Sequence, residues 1–138
     1  MKVGFTGTQS AINQYQIDVL TKVLTSLKSR GANEFHNGDC IGADAEASKI
    51  AKNLGYKIII HPPLNSVKRA WSDYDDARPA KEYLERNHDI VDETDIMIGT
   101  PKGLEELRSG TWATIRYAKK QGKDIVIIYP HKYEIMKG

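Results

Sequence analysis

One cysteine, Cys40, stands among 138 residues, so no intramolecular disulfide can form, and no CxxC or Cys/His cluster of zinc-binding spacing exists. A reducing, cytoplasmic compartment is the expected one. No apolar stretch reaches the roughly 18 to 20 residues of a membrane span. The opening "MKVGFTGTQ" breaks at Gly4 and Gly7, before the apolar core of a signal peptide could build up. Charge of one sign is also missing. Lys and Arg number 20 against 18 Asp and Glu, a net +2, and the two signs are interspersed, which argues against a dedicated DNA or RNA binder. Neither GxGxxG nor GxxxxGK[ST] occurs, so a Walker-type NTPase is not expected. The four histidines include no HExxH pair and there is no DxDxDG loop, so neither a dedicated metal site nor a bound cofactor is expected.

What is present is an ordinary globular composition, 40% hydrophobic and 28% charged, without repeats or linkers. Residues 1–138 are therefore read as one domain with a core of its own. Short apolar runs alternate with segments of helical period, the signature of a parallel sheet wrapped by helices. "KVGF", "EFHNG", "YKIIIH", "DIMIG" and "DIVIIYP" read as five strands. Ile17, Leu20, Leu24 and Leu27 mark a first helix ending near Gly31, and Ala43, Ala47, Ile50, Ala51 and Leu54 a second closed by Gly55. A third helix is predicted from about Pro79, a residue suited to a first helical position, to about Val91. The fold class is α/β: a Rossmann-like three-layer sandwich with about five parallel strands in the order 3-2-1-4-5. Such sheets bind ligands at the carboxyl ends of the strands where the order reverses, here between the first and fourth.

Each strand end there carries glycine or hydroxyl residues: "TGTQS", "NGDCIGAD", "HPPLN" and "GTPKGLEELRSGT". Glycine lets a ligand approach the backbone and hydroxyls donate to phosphate or ribose oxygens. Gly7, Thr8 and Gln9 could wrap a base or sugar, or form a plain strand-to-helix turn. Gly38 and Asp39 form a turn able to aim a carboxylate at ribose hydroxyls. In "GLEELRSGTWATIRYAKK" a helix begins at Arg-Ser-Gly-Thr. Its free N–H groups and partial positive charge suit a phosphate on Ser109, Gly110 and Thr111, with Arg108 as a bidentate partner. The alternatives are that Ser109 only caps the helix and that Arg108 pairs with Glu105. Asp44 reads as a helix-initiating acid or a site carboxylate, and Cys40 as a small buried thiol. Trp112 reads as core, and Trp71 and Tyr74, in a long polar loop, as base-stacking or interface aromatics.

The segments "VGFTGTQ", "HNGDCIGADAEA", "IIIHPP", "YLERNHDIVDETDIMIG" and "RSGTWATIRYAKK", in that order, resemble the SLOG superfamily of Rossmann-like nucleotide-binding proteins, which includes the Lonely-guy phosphoribohydrolases. The resemblance implies a nucleotide ligand. It implies that Gly110 and Thr111 match the Gly-Thr of the motif PGGxGTxxE that holds the nucleotide phosphate, and that Arg86 matches an arginine at the reaction centre. It also implies a homo-oligomer, since such proteins commonly pair through helices. The motif's glutamate is Thr114 in this chain, so the hydrolase chemistry would need another carboxylate, with Asp39 and Asp44 the candidates. The expected function is binding of a nucleotide or nucleotide-derived signal. The alternative is hydrolysis of the N-glycosidic bond of a nucleoside 5′-monophosphate, with Arg86 and Asp39 as catalytic residues.

Overall fold

The computed structural model describes residues 1–138. In chain order the elements are β1 (Lys2–Gly7), α1 (Gln14–Ser29), β2 (Glu34–Asn37), α2 (Ala43–Asn53), β3 (Lys57–Ile60), β4 (Asp76–Ala77), α3 (Tyr83–Glu93), β5 (Ile96–Thr100), α4 (Gly110–Lys120), β6 (Asp124–Ile128) and β7 (Tyr133–Met136). They build one seven-stranded sheet in the order β4-β3-β2-β1-β5-β6-β7. The five strands read from the sequence occupy its centre, all parallel and in the expected order. The difference lies at the edges: β4 adds two residues beside β3, and β7 returns antiparallel on β6.

Alternation along the strands divides the core between two faces. Val3, Phe5, Phe35, Ile58, Ile60, Ile98 and Val126 meet Leu20, Leu24 and Leu27 of α1 and Ala43, Ala47 and Ala51 of α2. Met97, Ile125 and Ile127 point the other way, against Ile90 and Val91 of α3 and Trp112, Ile115 and Ala118 of α4. The alanine stripe of α2 lets that helix lie close on the sheet. Truncating a fully buried leucine such as Leu24 would cost about 2–5 kcal/mol.

Helix α3 begins at Tyr83, four residues after the predicted start at Pro79. Residues 76–81 are held extended: β4 pairs with β3, the Arg78 amide donates to Ile60 O at 2.9 Å, and Leu64 and Lys81 bond one segment to the other. A helix can start only once the chain leaves that pairing. Chain reversal at the centre of the sheet fixes where a ligand can sit. β1 leads into α1 on one face and its neighbour β5 leads into α4 on the other, opening a crevice at their carboxyl ends.

Candidate functional site

A cavity of about 420 Å³ occupies this crevice, a size suited to a small molecule. Gly7, Thr8, Gln9, Gly38 and Arg86 line one side and Arg108, Ser109, Gly110 and Thr111 the other. The loop after β1 is fixed by its backbone, with Thr8 N–H donating to Thr100 O (3.1 Å) and Ala43 N–H to Thr8 O (3.0 Å). Gly7 is needed for packing. A side chain there would collide with Thr100 Oγ1 and Ala43 Cβ.

At the start of α4, Ser109 caps the helix, its Oγ accepting the Trp112 amide at 3.2 Å. The Gly110 and Thr111 amides have no intramolecular acceptor, and both residues face the cavity. Open space lies where a Gly110 side chain would project. Helix-end N–H groups of this kind carry partial positive charge and attract anions. Glu105 is taken by Arg116 at 2.9 Å, so the expected alternative partner of Arg108 is engaged elsewhere. Arg108 reaches the cavity wall together with Lys102.

Arg86, on α3, forms the inner wall. It is 3% exposed yet makes no ion pair. Its Nη1 donates to Gly38 O (2.6 Å) and His61 O (3.1 Å), its Nε to Asn87 Oδ1 (2.7 Å), and its Nη2 contacts Cys40 Sγ at 3.4 Å. The Tyr83 ring lies 4.5 Å from the guanidinium carbon. A side chain at position 38 would overlap the guanidinium, so Gly38 makes room for Arg86. A buried cation whose direct hydrogen-bond partners are all neutral favours an anion placed in the same space.

Asp39 is placed elsewhere. Asp39, expected to contact ribose or act in catalysis, is fully buried and is not among the residues that line the cavity. Its carboxylate accepts from Arg69 Nε at 2.8 Å and from the Ser72 amide at 3.1 Å. It sits at φ +53°, a left-handed conformation that Asp tolerates. Its role is to anchor the 62–81 segment. Two carboxylates do line the cavity, Glu106 and Asp44; Asp44 accepts the Cys40 amide at 3.1 Å. Burial pushes the pKa of Asp44 up to about 6, against the lowering influence of Arg86 and the Cys40 amide.

Tyr83, Asn87, Lys102 and Cys40 also line the cavity. Gln9 bridges its mouth, donating to Tyr83 OH (2.7 Å) and accepting from Lys68 Nζ (2.9 Å). Tyr83 and Asn87 flank Arg86 on the first turns of α3, and a helical projection from Arg86 could have singled them out. Thr114, where the Lonely-guy motif has its glutamate, is buried with its hydroxyl on Gly110 O at 2.9 Å. Trp112 is buried in the core as expected, whereas Trp71 and Tyr74 are exposed and outside the cavity.

No protein-family model matches the chain, and no curated protein matches it. Solved structures share its fold. The molybdenum cofactor binding protein of the phototrophic bacterium Rippkaea orientalis superposes with a TM-score of 0.71 at 21% identity, over 94% of this chain and 77% of that one. The molybdenum cofactor carrier protein of Chlamydomonas reinhardtii gives 0.68 at 20% identity, over 93% and 76%. DNA processing protein A of Helicobacter pylori, described with a single-stranded DNA binding mode, gives 0.63 at 19% identity, over 92% and 64%. The Rossmann-like α/β architecture is thus shared by proteins with different ligands.

Proposed function

We propose that this chain is a SLOG-type binding module that holds a phosphorylated small molecule, a nucleotide or nucleotide-derived signal, at the carboxyl edge of its sheet. The observation that carries the proposal is the pairing of two positive features across one cavity: the buried Arg86 guanidinium, which makes no direct salt bridge although the Asp44 carboxyl lies within its field, and the free Gly110 and Thr111 amides at the α4 terminus. Phosphate sits on those amides with Arg108 and Lys102 around it. The organic part extends past Gln9 and Tyr83. The molybdenum cofactor named for two structural neighbours belongs in the ligand panel.

Calorimetry against nucleoside monophosphates, cyclic nucleotides, ADP-ribose derivatives and the molybdenum cofactor tests this, alongside mass spectrometry of small molecules released from the purified protein. A Gly110→Asp variant has room for its side chain and sets a carboxylate against the phosphate position. At least tenfold weaker binding is expected, with unchanged circular dichroism. Equal binding by the variant, or no ligand from the panel, counts against the site. Fluorescence anisotropy with a single-stranded oligonucleotide is expected to show no binding at physiological salt, in keeping with the interspersed charge.

A second reading, N-glycosidic hydrolysis, is favoured by one observation: Asp44, buried in the cavity with a pKa near 6, is a carboxyl group suited to proton transfer near neutrality. Chromatography for free base after incubation with nucleoside monophosphates separates the readings. Base release abolished by Asp44→Asn supports hydrolysis, while stable binding without release supports the module.

A further inference from the structure

Outside the cavity, two histidines distant in sequence meet on the face of the sheet that α3 covers. His36 and His61 are 0% and 1% exposed. His36 Nδ1 lies 2.9 Å from His61 Nε2, and His36 Nε2 lies 2.9 Å from Glu34 Oε1. On the far side, His61 Nδ1 is 3.9 Å from Glu93 Oε2. One donor atom each from His36, His61 and Glu93 falls within 4.8 Å of the other two. No spacing rule in the sequence announces this group, because its members come from β2, the residue just past β3 and the end of α3.

The row Glu34, His36, His61, Glu93 contains three gaps and ends in a carboxylate at both sides. Burial favours neutral imidazoles, and two neutral rings bring two N–H protons to three gaps. Whichever tautomers are chosen, one gap is left without a proton. The two gaps of 2.9 Å are hydrogen bonds, so the His61 Nδ1 lone pair is left facing the Glu93 carboxylate across 3.9 Å, beyond hydrogen-bond reach. Two donors with their lone pairs turned toward the same space are met by a shared cation, which zinc-class metals hold at about 2.0–2.2 Å from nitrogen and oxygen ligands.

We propose that His36, His61 and Glu93 form a binding site for a divalent transition metal of the zinc class, separate from the ligand cavity. Imidazole and carboxylate donors select zinc, cobalt or nickel over calcium and magnesium, which prefer all-oxygen sets. Glu34 keeps the His36 proton on Nε2, so Nδ1, which accepts from His61 Nε2 while the ion is absent, is the His36 atom that ligates once the ion replaces that hydrogen bond, the carboxylate–histidine–metal arrangement. Arg78 Nε holds Glu93 Oε1 at 2.8 Å with Oε2 on the His61 side, and is itself shared with Asp76 at 2.9 Å. The Glu93 side chain is 34% exposed, which gives the ion a way in from solvent and water a fourth position. Tetrahedral ligands stand roughly 3.4 Å apart, so binding replaces the 2.9 Å His36–His61 hydrogen bond and draws Glu93 Oε2 in from 3.9 Å.

The test is titration of chelator-treated, full-length protein with Zn²⁺ by calorimetry and with Co²⁺ by visible absorption. One ion per chain is expected, with the absorption of a low-coordinate Co²⁺ centre. Glu93→Gln and His61→Gln should each weaken Zn²⁺ binding at least tenfold and remove the Co²⁺ band. The double variant His88→Gln/His131→Gln, which removes the other two histidines, should bind as the parent does. The proposal is overturned if the folded parent takes up neither ion saturably, if Glu93→Gln binds as the parent does, or if uptake is lost only in the His88/His131 variant. Should His61→Gln fail to fold by circular dichroism, Glu93→Gln decides, because its side chain is partly solvated.

Discussion

A guanidinium that is buried, hydrogen-bonded only to neutral groups and set in the wall of a cavity is the residue on which binding should turn. Replacing Arg86 by Leu removes the donors to Gly38 O and His61 O, and leaving buried acceptors unmet costs about 1–3 kcal/mol. Arg86→Lys keeps the charge but not the fork that serves several acceptors at once. Both variants are expected to lose at least tenfold in affinity for an anionic ligand by calorimetry, with the Leu variant also showing a lower urea midpoint. Asp44 supplies a pH dependence of definite sign. Its pKa rises from 3.8 to about 6 on folding, so burial of the neutral acid contributes its full stability below pH 3.8, and that contribution is lost as pH rises through about 6. The Asp44→Asn variant cannot ionise. Its urea midpoint relative to the parent's should therefore improve steadily from pH 4 to pH 6.5, and a parallel pair of curves would refute the shift. The same acid faces the anion. Ligand affinity of the parent should fall relative to that of Asp44→Asn as pH rises through about 6, the comparison cancelling the phosphate's own ionisation at about pH 6.

Among the elements, α1 shows how one side chain ties a helix to the functional edge of the sheet. Asn13 and Gln16 form a reciprocal capping box. Gln16 is buried and donates as well to Pro101 O and Ile128 O, both at 3.0 Å, just past β5 and at the end of β6. Gln16→Ala should lower stability by about 1–3 kcal/mol through two orphaned carbonyls, read as a drop in urea midpoint with unchanged m-value. Legibility in the sequence follows the same physics. The central strands were readable because two-sided burial writes continuous apolar runs such as "YKIIIH" and "DIVII", and the glycine and hydroxyl residues between them marked the carboxyl edge where the cavity lies. β4 is two residues long and polar, and β7 carries an exposed, mixed pattern, so neither left a periodic signal. The place of Asp39 was not legible, because a Gly-Asp turn reads the same whether its carboxylate faces a ligand or a partner 30 residues on, as it does Arg69. Tyr83 and Asn87 were missed because their part depends on Arg86's side-chain direction, and the His36–His61 contact because β2–β3 pairing creates it.

At the scale of the whole molecule, the segment from 62 to 81 is one of the parts whose apolar side chains the chain itself does not cover, alongside Leu84, Leu104, Leu107 and Ile135. Val67 is 83% and Trp71 65% exposed. Yet the segment is pinned: Ile41 N–H donates to Lys68 O at 2.9 Å, Ala70 N–H to Asp39 O at 2.8 Å, and Arg69 is held by the Asp39 carboxylate while its guanidinium carbon lies 3.9 Å from the Trp71 ring centre. Trp71 itself sits at φ +58°, a conformation costly for a bulky residue. Apolar side chains ordered in this way and turned to solvent suit a surface that another molecule covers. We expect the partner to be a second copy of the chain. Light scattering should then give a multiple of 15.5 kDa, and Val67→Ser/Trp71→Ser should shift the mass to the monomer with circular dichroism unchanged. A parent protein that stays at 15.5 kDa across the concentration range would count against it. Asp39→Asn separates the two roles considered for that residue. As an anchor of this segment, it should weaken self-association and leave small-molecule affinity within about twofold, whereas a ribose contact would lose the ligand and keep the oligomer.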